Sequence, residues 1–247
     1  MFLICYLISI IMNLSLSSIK KYLSLLRFRE GILTILIAPI ITIILWSIIF
    51  YFLKIEYYIS IIIFISMFVV LQIVFNYILK LMSLNEIRLY KNTKAPEVAV
   101  VLGDDSWESL GNMIMSSYWG IRFLIKYLSL QNEKIRIYLE PTKNIFNSIL
   151  KNKQIHTLYL IGHGSKRNFI LNHNQDSVIF LTYKHMKLPK KQYIHLYHCT
   201  HSKENVESII DYLVKKKNQK KCYIANDKIS VLDTVLEFYK LYKSVKI

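Results

Sequence analysis

Two side chains capable of covalent chemistry close two short apolar runs of this sequence. Leu158-Tyr159-Leu160-Ile161 ends at Gly162-His163-Gly164-Ser165, and Tyr193-Ile194-His195-Leu196-Tyr197 ends at His198-Cys199-Thr200. Each run has the length and composition of a buried strand. One imidazole and one thiol are thereby delivered just past the carboxyl ends of two strands, where open α/β sheets build their sites. A thiol attacks as the thiolate, so it needs a base, and an imidazole on a neighbouring element is the usual one. His163 and Cys199 therefore form a candidate catalytic dyad, base and nucleophile. The backbone N–H groups of Gly164 and Cys199 are candidate oxyanion donors. Taken singly, each has an ordinary explanation: a glycine-flanked turn for His163, a buried core thiol for Cys199. Their joint placement carries the reading.

Two rival uses of the same region follow from residue types. His195, Cys199 and His201 alternate onto one side of an extended strand, and with His163 they could hold zinc, although the spacing matches no standard zinc pattern. We expect no metal and no cofactor. Alternatively, a Rossmann-like domain could sense a ligand such as a nucleotide, its pocket lined by Gly103-Asp104-Asp105-Ser106. No phosphate-binding glycine pattern accompanies that stretch.

The elements that must position these residues read as alternating strands and helices. Val98–Leu102 is a buried strand, and a helix is expected over Asn112–Leu128, with Ile114, Tyr118, Ile121, Leu124 and Ile125 on one face. A strand at Ile135–Leu139 and a short helix at Asn144–Leu150 precede the His163 strand. Between the two reactive residues, Phe169–Leu171 and Ser177–Leu181 read as a hairpin. A helix over Lys203–Lys216, a strand over Cys222–Ala225 and a helix over Val231–Tyr242 complete the pattern. Such alternation implies a mainly parallel sheet in a three-layer arrangement.

The first third of the chain is different. Ile32–Leu53 and Tyr57–Leu79 are uncharged runs of membrane-crossing length, and residues 1–19 are a further apolar segment. We divide the chain into a membrane anchor (1–83, spans at 1–19, 32–53 and 57–79), a polar linker (84–95) and an α/β domain (96–247). Lys20, Lys21, Arg27 and Arg29 precede the 32–53 run, and Lys80, Arg88, Lys91 and Lys94 follow the 57–79 run. The positive-inside rule puts both flanks, and with them the α/β domain, in the cytoplasm of a multi-pass cell-membrane protein. No ionisable residue interrupts the two clear runs, which argues for an anchor over a transporter or channel.

The formal net charge is +16, from 32 Lys+Arg against 16 Asp+Glu. It suits the anionic cytoplasmic leaflet, and no basic helix or arginine cluster points to nucleic acid. The partners expected are a protein or peptide substrate and the lipid bilayer. Three cysteines, Cys5, Cys199 and Cys222, make no disulfide framework and fit a reducing compartment.

From Pro96 onward the chain resembles the clan CD cysteine proteases: caspases, legumain, the catalytic subunit of GPI transamidase and bacterial CHAT domains. These share a hydrophobic strand ending in His-Gly and a later one ending in the catalytic cysteine. Leu158–Gly164 and Tyr193–Cys199 match in that order, and Ala99–Gly103 with Trp107 is similar to the opening of the legumain group. The resemblance implies a caspase-like three-layer sandwich behind two or three transmembrane helices, and a cysteine endopeptidase acting through His163 and Cys199. Asp104 and Asp105 fall in the region that helps shape the P1 pocket of these families. An acidic pocket for Lys or Arg is one reading of them, and caps for the following helix, with Ser106, is the other. The sequence departs from the families at Ser109-Leu110-Gly111-Asn112, at Tyr197-His198 and at His201, so substrate specificity does not carry over.

Overall fold

The computed structural model describes residues 36–53, 56–104, 118–165, 167–172, 174, 176–197, 208–225 and 231–245. Cys199, His198, His201, Asp105 and the expected span 1–19 lie outside the described residues. The chain divides into two compact units, Met1–Leu81 and Met82–Ile247.

In the first unit, α1 (Ala38–Leu53) and α2 (Tyr57–Leu89) form a helical hairpin. The Trp46 indole ties them together. Its Nε1–H donates to the Ser60 carbonyl at 3.0 Å and to Ser60 Oγ at 2.8 Å, and its ring meets Phe50 and Phe64. Outside that contact the helices expose aliphatic side chains, among them Ile40, Ile44 and Ile48 on α1 and Ile59, Ile62 and Val70 on α2. Water disfavours such a surface and hydrocarbon does not. Among the described residues one helix, starting at Tyr58 within α2, is long and apolar enough to cross a membrane, where two or three were expected. The α1 helix has 16 residues, short of the roughly 20 that the hydrocarbon core requires. The α2 helix also continues through the start of the expected linker, to Leu89. Its last turn carries Arg88, the sign of charge that a helix C-terminus favours.

The second unit is α/β, built on a four-stranded parallel sheet. The strands are β1 (Val98–Leu102), β2 (Ile135–Leu139), β3 (Thr157–Ile161) and β6 (Tyr193–Tyr197), in the order β2-β1-β3-β6. All five residues of β1 and of β3 are buried, as in a parallel sheet covered on both faces. Ala99, Val101, Leu158, Leu160, Ile194 and Leu196 pack with Phe146, Ile149 and Leu150 of α4 (Lys143–Lys151) and with Ile209, Ile210 and Leu213 of α5 (Ile209–Leu213). The opposite face carries Tyr159, His195 and Tyr197 toward α3 (Tyr118–Leu130) and α7 (Val231–Val245), where Tyr197 meets Phe238 at 4.6 Å. Helices on both faces give the three layers expected. The hairpin is also present, as antiparallel β4 (Asn168–Ile170) and β5 (Ser177–Ile179), followed by a 3₁₀ turn at Phe180–Tyr183.

Local chemistry sets the element ends. Thr142 accepts from Ile145 N–H at the start of α4. Ser208 and Asp211 form a reciprocal capping box on α5. The C-terminal end of α4 is held by Lys191, whose side chain lies across it. Lys191 is 1 % exposed, and its Nζ donates to the carbonyls of Ile149 (3.3 Å), Asn152 (2.8 Å) and Ile155 (2.9 Å). A cation is thereby placed where the helix leaves its carbonyls unpaired. Burial pushes the ammonium down to about 8, so it stays protonated at neutral pH.

Two expected elements differ. The described part of the Lys203–Lys216 helix is α5, which stops at Leu213; Val214 turns extended and bridges Lys191 before α6 (Lys216–Gln219) begins. Leu213 O accepts from Lys191 N at 2.7 Å, a tertiary bond that outweighs local helix propensity. The Cys222–Ala225 strand is a single bridge from Ile224 to Leu196. The chain leaves α6 through turn residues Lys220 and Lys221 and forms a backbone bridge with β6 only at Ile224.

Candidate active site

The sheet register governs the site. Ile161 pairs with Tyr197 at the carboxyl ends of β3 and β6, and Gly162 N–H extends the pairing by donating to Tyr197 O at 3.4 Å. His163 is two residues past Ile161, and Cys199 is two residues past Tyr197. The position of Cys199 itself lies outside the described residues.

Around His163 the backbone is fixed from three sides. Its N–H donates to Asp104 O at 3.2 Å, and its carbonyl accepts from Ile170 N at 3.0 Å. Gly162, just before it, has φ +148°, and a Cβ there would lie 3.1 Å from Gly103 C, Gly103 Cα and Asp104 O. That backbone region is essentially confined to glycine. A second glycine marks the same seam. A Cβ on Gly103 would stand 2.3 Å from Ile170 O and 2.6 Å from Phe169 Cζ, so the β4–β5 hairpin docks directly on the end of β1. Asp104 is 4 % exposed, and its N–H donates to Ile170 O at 3.2 Å. Its backbone belongs to the seam. Its expected partner Asp105 lies outside the described residues.

The turn after His163 is also bonded. Ser165 N–H donates to Asn168 O (2.8 Å), Ser165 Oγ donates to Asn168 Oδ1 (2.7 Å), and Arg167 N–H donates to Ser165 Oγ (3.1 Å). Gly164 faces Phe169 across an antiparallel bridge. The flanking bonds run from Ile170 N to His163 O and from Ser165 N to Asn168 O. Gly164 thus occupies a non-hydrogen-bonded pair, in which its own N–H turns away from the hairpin. That is the condition an oxyanion donor must meet.

His195, which the zinc alternative would use, has another role. Its ring stacks on Tyr159 at 4.7 Å, and its Nδ1 accepts from Tyr223 N–H at 3.1 Å. Burial pushes its pKa down to about 4. Among the described residues one group could hold a cation, Glu97, Glu133 and His156. It lies at the amino ends of the strands, and Glu97 Oε1 already accepts from Lys134 Nζ at 2.8 Å. That bond also lowers the Glu97 pKa.

No protein-family model matches the chain, no curated protein is significantly similar to it, and no solved structure matches its fold significantly.

Sequence reasoning placed His163 just past the end of a strand but missed the seam glycines as a pair. The signal was present: Gly103 and Gly162 each follow directly on a buried strand. It grouped His195 with Cys199 and His201 and did not connect it with its strand neighbours. Tyr193, His195 and Tyr197 alternate along β6, and that period places all three rings on one face.

The half-buried His195 gives the domain an acid-sensitive point. Its folded pKa of about 4 lies below the ordinary 6.5. Between those values the unfolded chain takes up a proton that the folded chain refuses, so stability falls as pH drops from about 6.5 to 4. The gap corresponds to on the order of 3 kcal/mol. Thermal unfolding of the whole chain, followed by tyrosine near-UV dichroism at pH 7 and pH 4.5, should show a smaller acid loss in His195→Gln. An identical loss in the variant would remove the assignment.

Proposed function

We propose that the protein is a membrane-anchored, caspase-like cysteine peptidase whose α/β domain works in the cytoplasm. The observation that carries this reading is the parallel register of β3 and β6. It pairs Ile161 with Tyr197, so the two reactive residues follow their paired strand ends at the same offset, on strands about 4.8 Å apart. The exposed aliphatic surface of α1 and α2 supports the anchor, and the basic flanks support the orientation.

In this reading His163 takes the proton from Cys199 Sγ, and the thiolate attacks the scissile carbonyl carbon. The Gly164 and Cys199 N–H groups hold the oxyanion. As the C–N bond breaks, His163 returns the proton to the departing amine. A water, deprotonated by the same imidazole, then hydrolyses the thioester and restores the thiol.

The sensor alternative draws less support. Its pocket was to be lined from Gly103 onward, and the hairpin backbone fills the space at Gly103. An electrophilic thiol probe, such as a peptidyl acyloxymethyl ketone, separates the two. It should label Cys199 in the wild type and fail on His163→Ala. Equal labelling of both proteins, or none of either, would overturn the dyad.

A further inference from the structure

A concavity lies on the sheet face away from the main core, running from the amino ends of the strands to Tyr197. A cavity of about 450 Å³ opens between β3, β6, α3 and α7, within the ordinary range for small-molecule sites. Its wall is aromatic. Tyr159 stacks on His195 at 4.7 Å and 21°, Tyr197 stacks on Tyr223 at 4.4 Å and 19°, and Tyr193 lies 6.3 Å from His195. The two strand residues that are nearly buried, Tyr159 and Tyr197, back the partly exposed Tyr193, His195 and Tyr223. Because Nδ1 of His195 accepts a backbone N–H, its neutral ring keeps Nε2 as a donor. Glu133 and Glu237 also line this cavity and supply acceptors.

A second cavity, of about 270 Å³, shares His156 and Gln192 with the first in its lining and has the opposite chemistry. Lys190, Lys215 and Lys217 line it with Asn218, and no carboxylate does. Lys191 also borders it, but its ammonium is committed to three carbonyls, and Lys190 Nζ spends one donor on the Tyr212 carbonyl, so the exposed Lys215 and Lys217 carry most of the free charge. Across the shared wall, Glu97 and Glu133 stand near His156, and Lys134 balances Glu97. An aromatic slot with acceptors that adjoins a lysine-lined pocket calls for a ligand with a flat heterocycle at one end and a phosphate at the other. Stacking serves the ring, and lysine ammonium groups serve the phosphate as point charges.

We propose that this paired cavity binds a mononucleotide, its base against Tyr193, His195 and Tyr223 and its phosphate among Lys190, Lys215 and Lys217. The base would lie along β6, and the phosphate beside the amino ends of β3 and β6.

The full chain in detergent micelles is titrated calorimetrically with AMP, GMP, CMP and UMP, and with the four nucleosides and inorganic phosphate as separate probes. At least one monophosphate should bind saturably, tenfold or more tighter than both its nucleoside and phosphate. In Lys215→Glu/Lys217→Glu, which changes two exposed residues, that monophosphate should lose at least tenfold in affinity while its nucleoside is unaffected. If all four monophosphates bind no tighter than inorganic phosphate, or if the double variant keeps full affinity, the proposal fails. Vesicles of phosphatidylserine are a further arm: a lysine pocket serving lipid headgroups would bind them and leave all four nucleotides unbound, which also overturns it.

Discussion

Cys199→Ala is expected to lower the rate of peptide-bond cleavage by at least about a thousandfold, equivalent to roughly 4 kcal/mol of transition-state stabilisation. The thiol is the atom that bonds to substrate in the proposed reaction, and no other nucleophile stands at that offset past β6. His163→Ala should cost a comparable factor, because a thiol of ordinary pKa is only a few per cent ionised at neutral pH. The double variant should be no worse than the worse single one, since base and nucleophile act as a unit. The measurement is fragment release from a proteome-derived peptide library by the purified full chain. Cleavage that persists in Cys199→Ala would end the peptidase reading, whatever happens at His163. Additive losses in the double variant would show that the two residues do not act together.

The largest expected effect on stability comes from a residue with no part in that chemistry. Lys191→Met keeps the length and apolar stem of the side chain but removes the ammonium that holds the Ile149, Asn152 and Ile155 carbonyls. Leaving buried acceptors unpaired costs about 1–3 kcal/mol each, although Ile149 O retains a bond from Asn152 N. A net loss of about 3 kcal/mol is expected, or on the order of 10 °C in Tm for a domain of this size. Lys191→Arg should recover only part of it, because a planar fork cannot point at three carbonyls arranged around one nitrogen. Thermal unfolding of the whole chain checks both. A Met variant as stable as wild type would mean that the carbonyls find other donors.

Why the sequence showed one of these features and hid the other is a matter of range. Strands β1, β2 and β6 are short, largely apolar runs bounded by turn residues, and their observed ends match the expected ones residue for residue. His163 was legible for the same reason, because it follows directly on such a run. The hairpin was legible through Asn172-His173-Asn174-Gln175 between two β-like runs. Lys191 was not, since nothing in Lys190-Lys191-Gln192 distinguishes the buried lysine from its exposed neighbour. Its burial is decided by α4, some forty residues earlier in the chain. The early stop of α5 at Leu213 has the same origin, a bond from Lys191 N. The expected strand at Cys222–Ala225 failed in the opposite way. Its residues suit a strand, but the turn out of α6 delivers them to the sheet edge for one bridge only. The paired cavities were beyond reach because their walls come from six separate segments.

The docking of the hairpin on Gly103 bears on how the domain reaches its native state. Ile170 O occupies the space that a side chain would take at the end of β1, so the loops around His163 stay unformed until segments distant in the chain have met. Closing a loop of that length costs entropy that no local contact returns. Assembly of the His163 environment is therefore expected to follow the long-range contacts that set the topology. In the proposed peptidase, a partly folded chain would carry its imidazole and its thiol as unrelated side chains.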